Sequence, residues 1–210
     1  MGKKGKKILV VSPHTDDGEL GCGGAIVKFL EEGDDVEYVA LSCCEKSIPP
    51  EYPRDILSRE VKSATKVLGV EKPILFSYDV REFPRLRQEI LDTLIRLRNK
   101  IQPDIVFTPS RFDTHQDHKT TVEETMRAFK KCTLLGYEQP WNNITFNTLA
   151  FIPLEERHIR KKIEALKCYE TQKGRAYLNE DFIRGLAVTR GTQIEERFAE
   201  AFEVIKWVIR

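Results

Sequence analysis

The chain has 210 residues, of which 40% are hydrophobic and 32% charged. That is enough apolar material for a full core, and the length favours one domain over two. The 34 basic and 33 acidic side chains leave a formal charge of +1. Fibrous and disordered classes are therefore excluded, and no global field recruits nucleic acid or an anionic membrane.

The basic start, with Lys3, Lys4, Lys6 and Lys7, reads as a solvated tail over 1–7 of a single domain spanning 1–210. Ile8-Leu9-Val10-Val11 is a continuous apolar run, as in a strand buried on both faces. After a glycine-rich turn, Ala25, Ile26, Phe29 and Leu30 take helical spacing, with Gly33 as the stop. Residues 36–41 read as a second strand. Residues 56–68 read as a helix stopped by Gly69, and 74–76 as a third strand. A helix over 86–101 carries Ile90, Leu94, Leu97 and Ile101, and a fourth strand at 105–107 is stopped by Pro109. Val122, Met126 and Phe129 mark another helix. Residues 132–147, with Gly136 and Pro140, read as a loop, and 148–152 as a fifth strand. Ile159, Ile163 and Leu166 mark a helix, while 201–209 fits either a strand or a helix. Strands alternating with helices predict an α/β fold: a Rossmann-like, mostly parallel sheet with helices on both faces.

The cysteines are Cys22, Cys43, Cys44, Cys132 and Cys168. Their number is odd and no CxxC occurs, which argues against a disulfide framework and fits a reducing, cytoplasmic setting. The first apolar run is too short for a signal peptide, and no stretch reaches the roughly 20 apolar residues of a membrane span.

In open α/β sheets ligands bind beyond the carboxyl ends of the strands, where strand order reverses. Two clusters satisfy that condition. Strand one is followed by Ser12-Pro13-His14-Thr15-Asp16-Asp17 and then Gly21-Cys22-Gly23-Gly24. Strand four is followed by Asp113-Thr114-His115-Gln116-Asp117-His118. These stretches hold three of the four histidines. The fourth, His158, reads as an exposed helical residue.

His14 and Asp17 can point into one crevice across a tight turn, and His115 and His118 share a helix face. Two imidazoles and a carboxylate form a three-ligand zinc set with a position left for water. Zinc so held lowers the pKa of bound water from 15.7 to about 7. Asp16 is then placed to take the water's proton. Asp117 can hold the ring nitrogen of a nearby histidine. His115 can protonate a leaving group or stabilise an oxyanion. Phe112, Tyr137 and Trp141 are candidates for stacking on a sugar ring or for core packing. Cys22 reads as a small buried packing residue. Each cluster alone also reads as an ordinary turn or helix start. Two alternatives stand beside this: non-haem iron chemistry on the same donor set, and a non-enzymatic domain that binds magnesium through the acidic pair after strand one.

The first cluster resembles the Pro-His-x-Asp-Asp…Gly-Cys-Gly-Gly signature of the LmbE-like, or PIG-L, family of zinc-dependent sugar N-deacetylases. The second resembles that family's His-x-Asp-His. Weaker matches continue in order: Glu60…Ala64…Leu68-Gly69, Ala165…Tyr169-Glu170-Thr171-Gln172, and Arg190-Gly191…Ala199-Glu200-Ala201-Phe202. The resemblance implies zinc ligation by His14, Asp17 and His118 and a general base at Asp16. It implies His115 near the departing amine or the oxyanion, and Asp117 tuning a histidine. The implied reaction is hydrolysis of an N-acetyl amide on a small amino sugar of the N-acetylglucosamine type. Where the family often carries a substrate arginine, three residues before Glu60, this chain has Leu57. The nearby Arg54, out of register, is the candidate substrate contact. So compact a chain is also compatible with a homo-oligomer that lends specificity loops.

Overall fold

The structure is a computed structural model and describes residues 5–209. β1 (Lys7–Ser12) pairs in parallel with β2 (Asp35–Ala40) on one side and β4 (Ile105–Pro109) on the other. β3 (Ile74–Leu75) lies parallel beyond β2, and β5 (Thr133–Tyr137) parallel beyond β4. β7 (Phe198–Lys206) then joins β5 antiparallel, and β6 (Ala150–Leu154) joins β7 antiparallel. The order is β3-β2-β1-β4-β5-β7-β6, a mostly parallel, Rossmann-like sheet.

The continuous apolar run of β1 is explained by cover on both faces. Ile8 and Val10 pack into one core with Ala25, Ile26 and Phe29 of α1 (Asp17–Glu31) and with Val61, Ala64 and Leu68 of α2 (Ile56–Leu68). Ala165 of α5 (Glu156–Leu166) joins the same core. Leu9 and Val11 point the other way. They meet Ile90, Leu94 and Leu97 of α3 (Phe83–Ile101) and Ala128 of α4 (Gln116–Ala128). The period-two alternation of a strand delivers neighbouring residues to opposite faces. A third cluster joins Ile159 and Ile163 of α5 to Ile183 and Ala187 of α6 (Glu180–Thr192).

The predicted stop at Gly69 is a Schellman end. Its φ is +101°, its N–H donates to the Lys66 carbonyl, and the Val70 N–H donates to that of Thr65.

Several expectations change. Residues 133–137, read as part of a loop, form the buried strand β5. Gly136 suggested a turn, but it sits mid-strand, where a Cβ would come within 3.0 Å of the Ser110 backbone and 3.1 Å of the Glu203 side chain. α6 was not anticipated, since Gly185 and Gly191 interrupt a weak apolar pattern. The ambiguous C-terminal segment is a strand. The basic start is ordered from within: the Lys6 N–H donates to Asp34, and Lys7 opens β1. Lys3 and Lys4 lie outside the described residues. His158 is buried rather than exposed; its Nδ1 accepts from the Glu155 N–H and its Nε2 faces Glu31. Among the described residues no helix is long and apolar enough to cross a membrane.

Candidate active site

β1 is flanked by β2 and β4, whose connections run to opposite sides of the sheet, so a crevice opens beyond its carboxyl end. Both expected clusters border it. The turn after β1 is fixed by Ser12, whose hydroxyl donates to the His14 carbonyl and accepts from the Gly18 N–H. Asp17 then opens α1, where a carboxylate is favoured by the helix dipole. From below, the Tyr38 and Tyr169 hydroxyls donate to the fully buried Glu19. The loop after β4 is fixed by Glu203, which accepts from the Ser110 hydroxyl and the Arg111 N–H. His115 caps α4, its Nδ1 accepting from the Asp117 N–H at 3.2 Å.

Three donor atoms converge between these turns. His14 Nδ1 lies 3.1 Å from Asp17 Oδ2. His118 Nε2 lies 3.2 Å from that same oxygen and 3.2 Å from His14 Nδ1. The remaining nitrogen of each ring faces a carboxylate: His14 Nε2 meets Asp117 Oδ2 at 3.0 Å, and His118 Nδ1 meets Asp113 Oδ2 at 2.8 Å. In neutral rings those outer nitrogens carry the protons, so two imidazole lone pairs and a carboxylate oxygen face one another. That arrangement suits a cation. Donors held 2.0–2.1 Å from a tetrahedral ion sit about 3.3 Å apart. His115 also lies close, with a ring nitrogen within 4.8 Å of those of His14 and His118. Asp17 Oδ2, at 3.1 Å from His14 Nδ1 and 3.2 Å from His118 Nε2, offers a carboxylate donor to the same space. Its other oxygen accepts from Gln139 Nε2 at 2.8 Å.

With only protons available, the cluster holds charge tightly. Burial works against protonation of His14, but its hydrogen bonds to Asp117 and Asp17 outweigh it and raise the ring to about 9. Burial opposes His118 in the same way, while the charge of Asp17 and the bond to Asp113 raise it to about 10. Asp17, though buried, is held well below the usual carboxylate range by those two histidines. His115 moves downward, through burial and then repulsion from His118 and His14. Asp16 moves upward to about 6, through burial and then the charge of Asp17. Among the described residues no other residue donates a hydrogen bond to the Asp16 carboxylate.

The crevice is a cleft of about 310 Å³. His14, Asp16, Asp17, His115 and His118 all line it. Asp117 is buried behind His14 and supports it, and its Oδ2 also accepts from the Arg81 N–H at 2.6 Å. Arg54 is not brought there: it is exposed ahead of α2, whereas Leu57 lines the cleft. Trp141 lines it too, stacked on Tyr177 with ring centroids 4.3 Å apart. Tyr137 is core, its hydroxyl on the Val11 carbonyl. Cys22 is fully buried, its thiol against the Gly18 carbonyl and pushed well upward by burial. The sequence reading missed Asp113, Gln139 and the cleft residues Gln172, Arg175 and Tyr177. Asp113 stood within the second cluster, two residues before His115. Gln139 was hidden in the segment taken for a loop.

A Rossmann-like sheet with histidines and carboxylates converging at its switch point defines a class of α/β proteins able to hold a cation there. The family described as PIG-L: GlcNAc-PI de-N-acetylase matches residues 9–129, and the chain belongs to that family. It is 28% identical over 174 residues to the uncharacterized deacetylase YaiS of Escherichia coli, covering 80% of this chain and 92% of that protein. It is 31% identical over 123 residues to the diacetylchitobiose deacetylase of Thermococcus kodakarensis, covering 54% of this chain and 45% of that protein. The solved N,N'-diacetylchitobiose deacetylase of Pyrococcus horikoshii superposes with a TM-score of 0.80 at 24% identity, over 96% of this chain and 84% of that one; this likeness concerns the fold.

Proposed function

We propose that the protein is a zinc-dependent hydrolase that removes the acetyl group from an N-acetylglucosamine-type substrate. The observation that carries this reading is the convergence of His14 Nδ1, His118 Nε2 and Asp17 Oδ2 in the cleft that the Asp16 carboxylate also lines. Family membership and the naming of the Thermococcus relative support the amide and the amino sugar.

In this reading His14, Asp17 and His118 hold the ion, with Asp117 and Asp113 fixing the two rings. When bound, a divalent ion supplies Lewis acidity toward a water and an amide carbonyl. Asp16 takes the proton of the attacking water. A carboxyl raised to about 6 is ionised at neutral pH yet basic enough for that task. The same carboxyl then delivers the proton to the amine nitrogen as the C–N bond breaks, leaving acetate and free amine. His115 is neutral, and its Nδ1 accepts from Asp117 N, so the ring proton sits on Nε2. It therefore serves as a hydrogen-bond donor to the developing oxyanion.

Two neighbouring substitutions test these roles. Asp16→Asn keeps the metal and the fold but loses about 10²–10⁴-fold in kcat, because an amide cannot take the proton. Asp17→Ala loses metal affinity. Metal content and acetate release on both variants, side by side, check this. If Asp16→Asn loses the metal and Asp17→Ala keeps it, the assignment is reversed.

A further inference from the structure

The segment between α5 and α6 forms one wall of the cleft through Gln172, Arg175 and Tyr177. It is anchored by Glu60 of α2, which accepts from both the N–H and the hydroxyl of Thr171. Its other charges are spent on neighbours: Lys167 pairs with Glu180 and Lys173 with Glu170. Arg175 differs. It is exposed and has no carboxylate partner among the described residues, and it is the one Arg or Lys among them that lines the cleft. Its guanidinium lies 5.9 Å from the Tyr177 ring centroid, along the aromatic pair that Tyr177 makes with Trp141.

A second arginine borders the same cleft from another loop. Arg81 reaches the cleft-lining Ser47 hydroxyl at 3.4 Å, and its side chain also has no carboxylate partner among the described residues. Its backbone is held at φ 70°, a left-handed conformation that a long side chain seldom adopts. The hold comes from the site itself: Asp117 accepts from the Arg81 N–H, and Gln116 Nε2 donates to its carbonyl. Most of the acidic floor is already paired, Asp17 with His14 and His118 and Asp117 with His14, and Asp16 forms no ion pair with either arginine among the described residues.

We infer that the cleft selects substrates bearing an anionic substituent, a phosphate or a carboxylate, away from the acetylated nitrogen, with Arg175 as its principal contact and Arg81 as a second. This rests on the deacetylase reading of the same cleft. A planar guanidinium matches both anions through paired N–H donors. Leu57, which also lines the cleft, is apolar and offers an anion no donor, so this recognition falls to the rim.

The test is calorimetric binding of three product-type probes that need no turnover: glucosamine 1-phosphate, carboxymethyl glucosaminide and the neutral methyl glucosaminide. The wild-type protein binds at least one anionic probe about tenfold or more tighter than the neutral one. The better of the two anions tells phosphate from carboxylate. Arg175→Ala cuts that ratio at least about threefold, and with Arg81→Ala it falls near unity. Arg175→Lys restores part of it, and Lys173→Ala, which removes a charge from the same segment, leaves it intact. A wild-type ratio near one, or a ratio that survives Arg175→Ala, overturns the inference. So does a change in Arg175→Ala confined to the acidic limb of the pH–rate profile, which would make Arg175 a counter-charge for Asp16. Failure of the function reading looks different: no acetate release from any N-acetylated counterpart by the zinc-loaded protein, with the anion preference in binding intact.

Discussion

Asp16 and Asp17 are adjacent, yet their surroundings push them in opposite directions. Asp17 is surrounded by imidazoles and stays ionised, whereas Asp16 is raised to about 6 by burial and by its neighbour's charge. A base must be ionised to act, so a raised carboxyl loses activity as pH falls through its own pKa. The pH profile of kcat/KM is expected to rise through about pH 6 and to lose that limb in Asp16→Asn. The histidines give a second expectation. Rings raised to about 9 and about 10 are protonated at neutral pH, and a metal takes only their neutral forms. Zinc binding near pH 7 should release about two protons, and affinity should climb with pH toward those values. Calorimetry in buffers of different ionisation enthalpy reads this directly; heats independent of buffer would contradict it. At this scale the sequence was legible where chemistry is dense: His14, Asp16, Asp17, His115 and His118 line one cleft. It was silent on Arg175 and Tyr177, because an isolated arginine or tyrosine on a connecting segment has no spacing that marks it.

At the scale of elements, α1 is not one helix. Cys22 has φ −146° and ψ 24°, so the helix breaks there and frees N–H groups just beyond it. Glu200 of β7 accepts two of them, from Gly24 and Ala25, and Lys162 of α5 bridges Glu200 to the Leu20 carbonyl on the other side of the break. The glycine-rich stretch thus joins the first turn of α1, which carries Asp17, to the sheet. Glu200→Ala would strand a buried ammonium and two N–H donors. It is expected to cost about 3–5 kcal/mol, read as a lowered urea midpoint; a loss within experimental error would refute this account of the break. The boundaries of α2 at 56–68 agree with the sequence reading because strong periodicity ends at a glycine that can turn left-handed. β5 and α6 were missed for the converse reason. Gly136, Gly185 and Gly191 look like breakers locally, and only the close approach of Ser110 and Glu203 to Gly136 shows why a glycine suits that strand position.

Across the whole molecule, the sheet brings together what the chain separates. About a hundred residues lie between His14 and His118, and the parallel pairing of β1 with β4 closes that distance to 3.2 Å between ring nitrogens. The alternation of strands and helices made the fold class readable, since right-handed crossovers leave few topologies. The strand order itself needed tertiary contacts, above all β7 inserted between β5 and β6. The central claim is that this junction is a metal site that hydrolyses an N-acetyl amide. Its most direct test is acetate release from N-acetylated glucosamine derivatives by protein stripped with a chelator and then reloaded with zinc, with metal per chain measured alongside. The account predicts about one metal per chain, no release from stripped protein and restored release on reloading. Undiminished release from metal-free protein would contradict it.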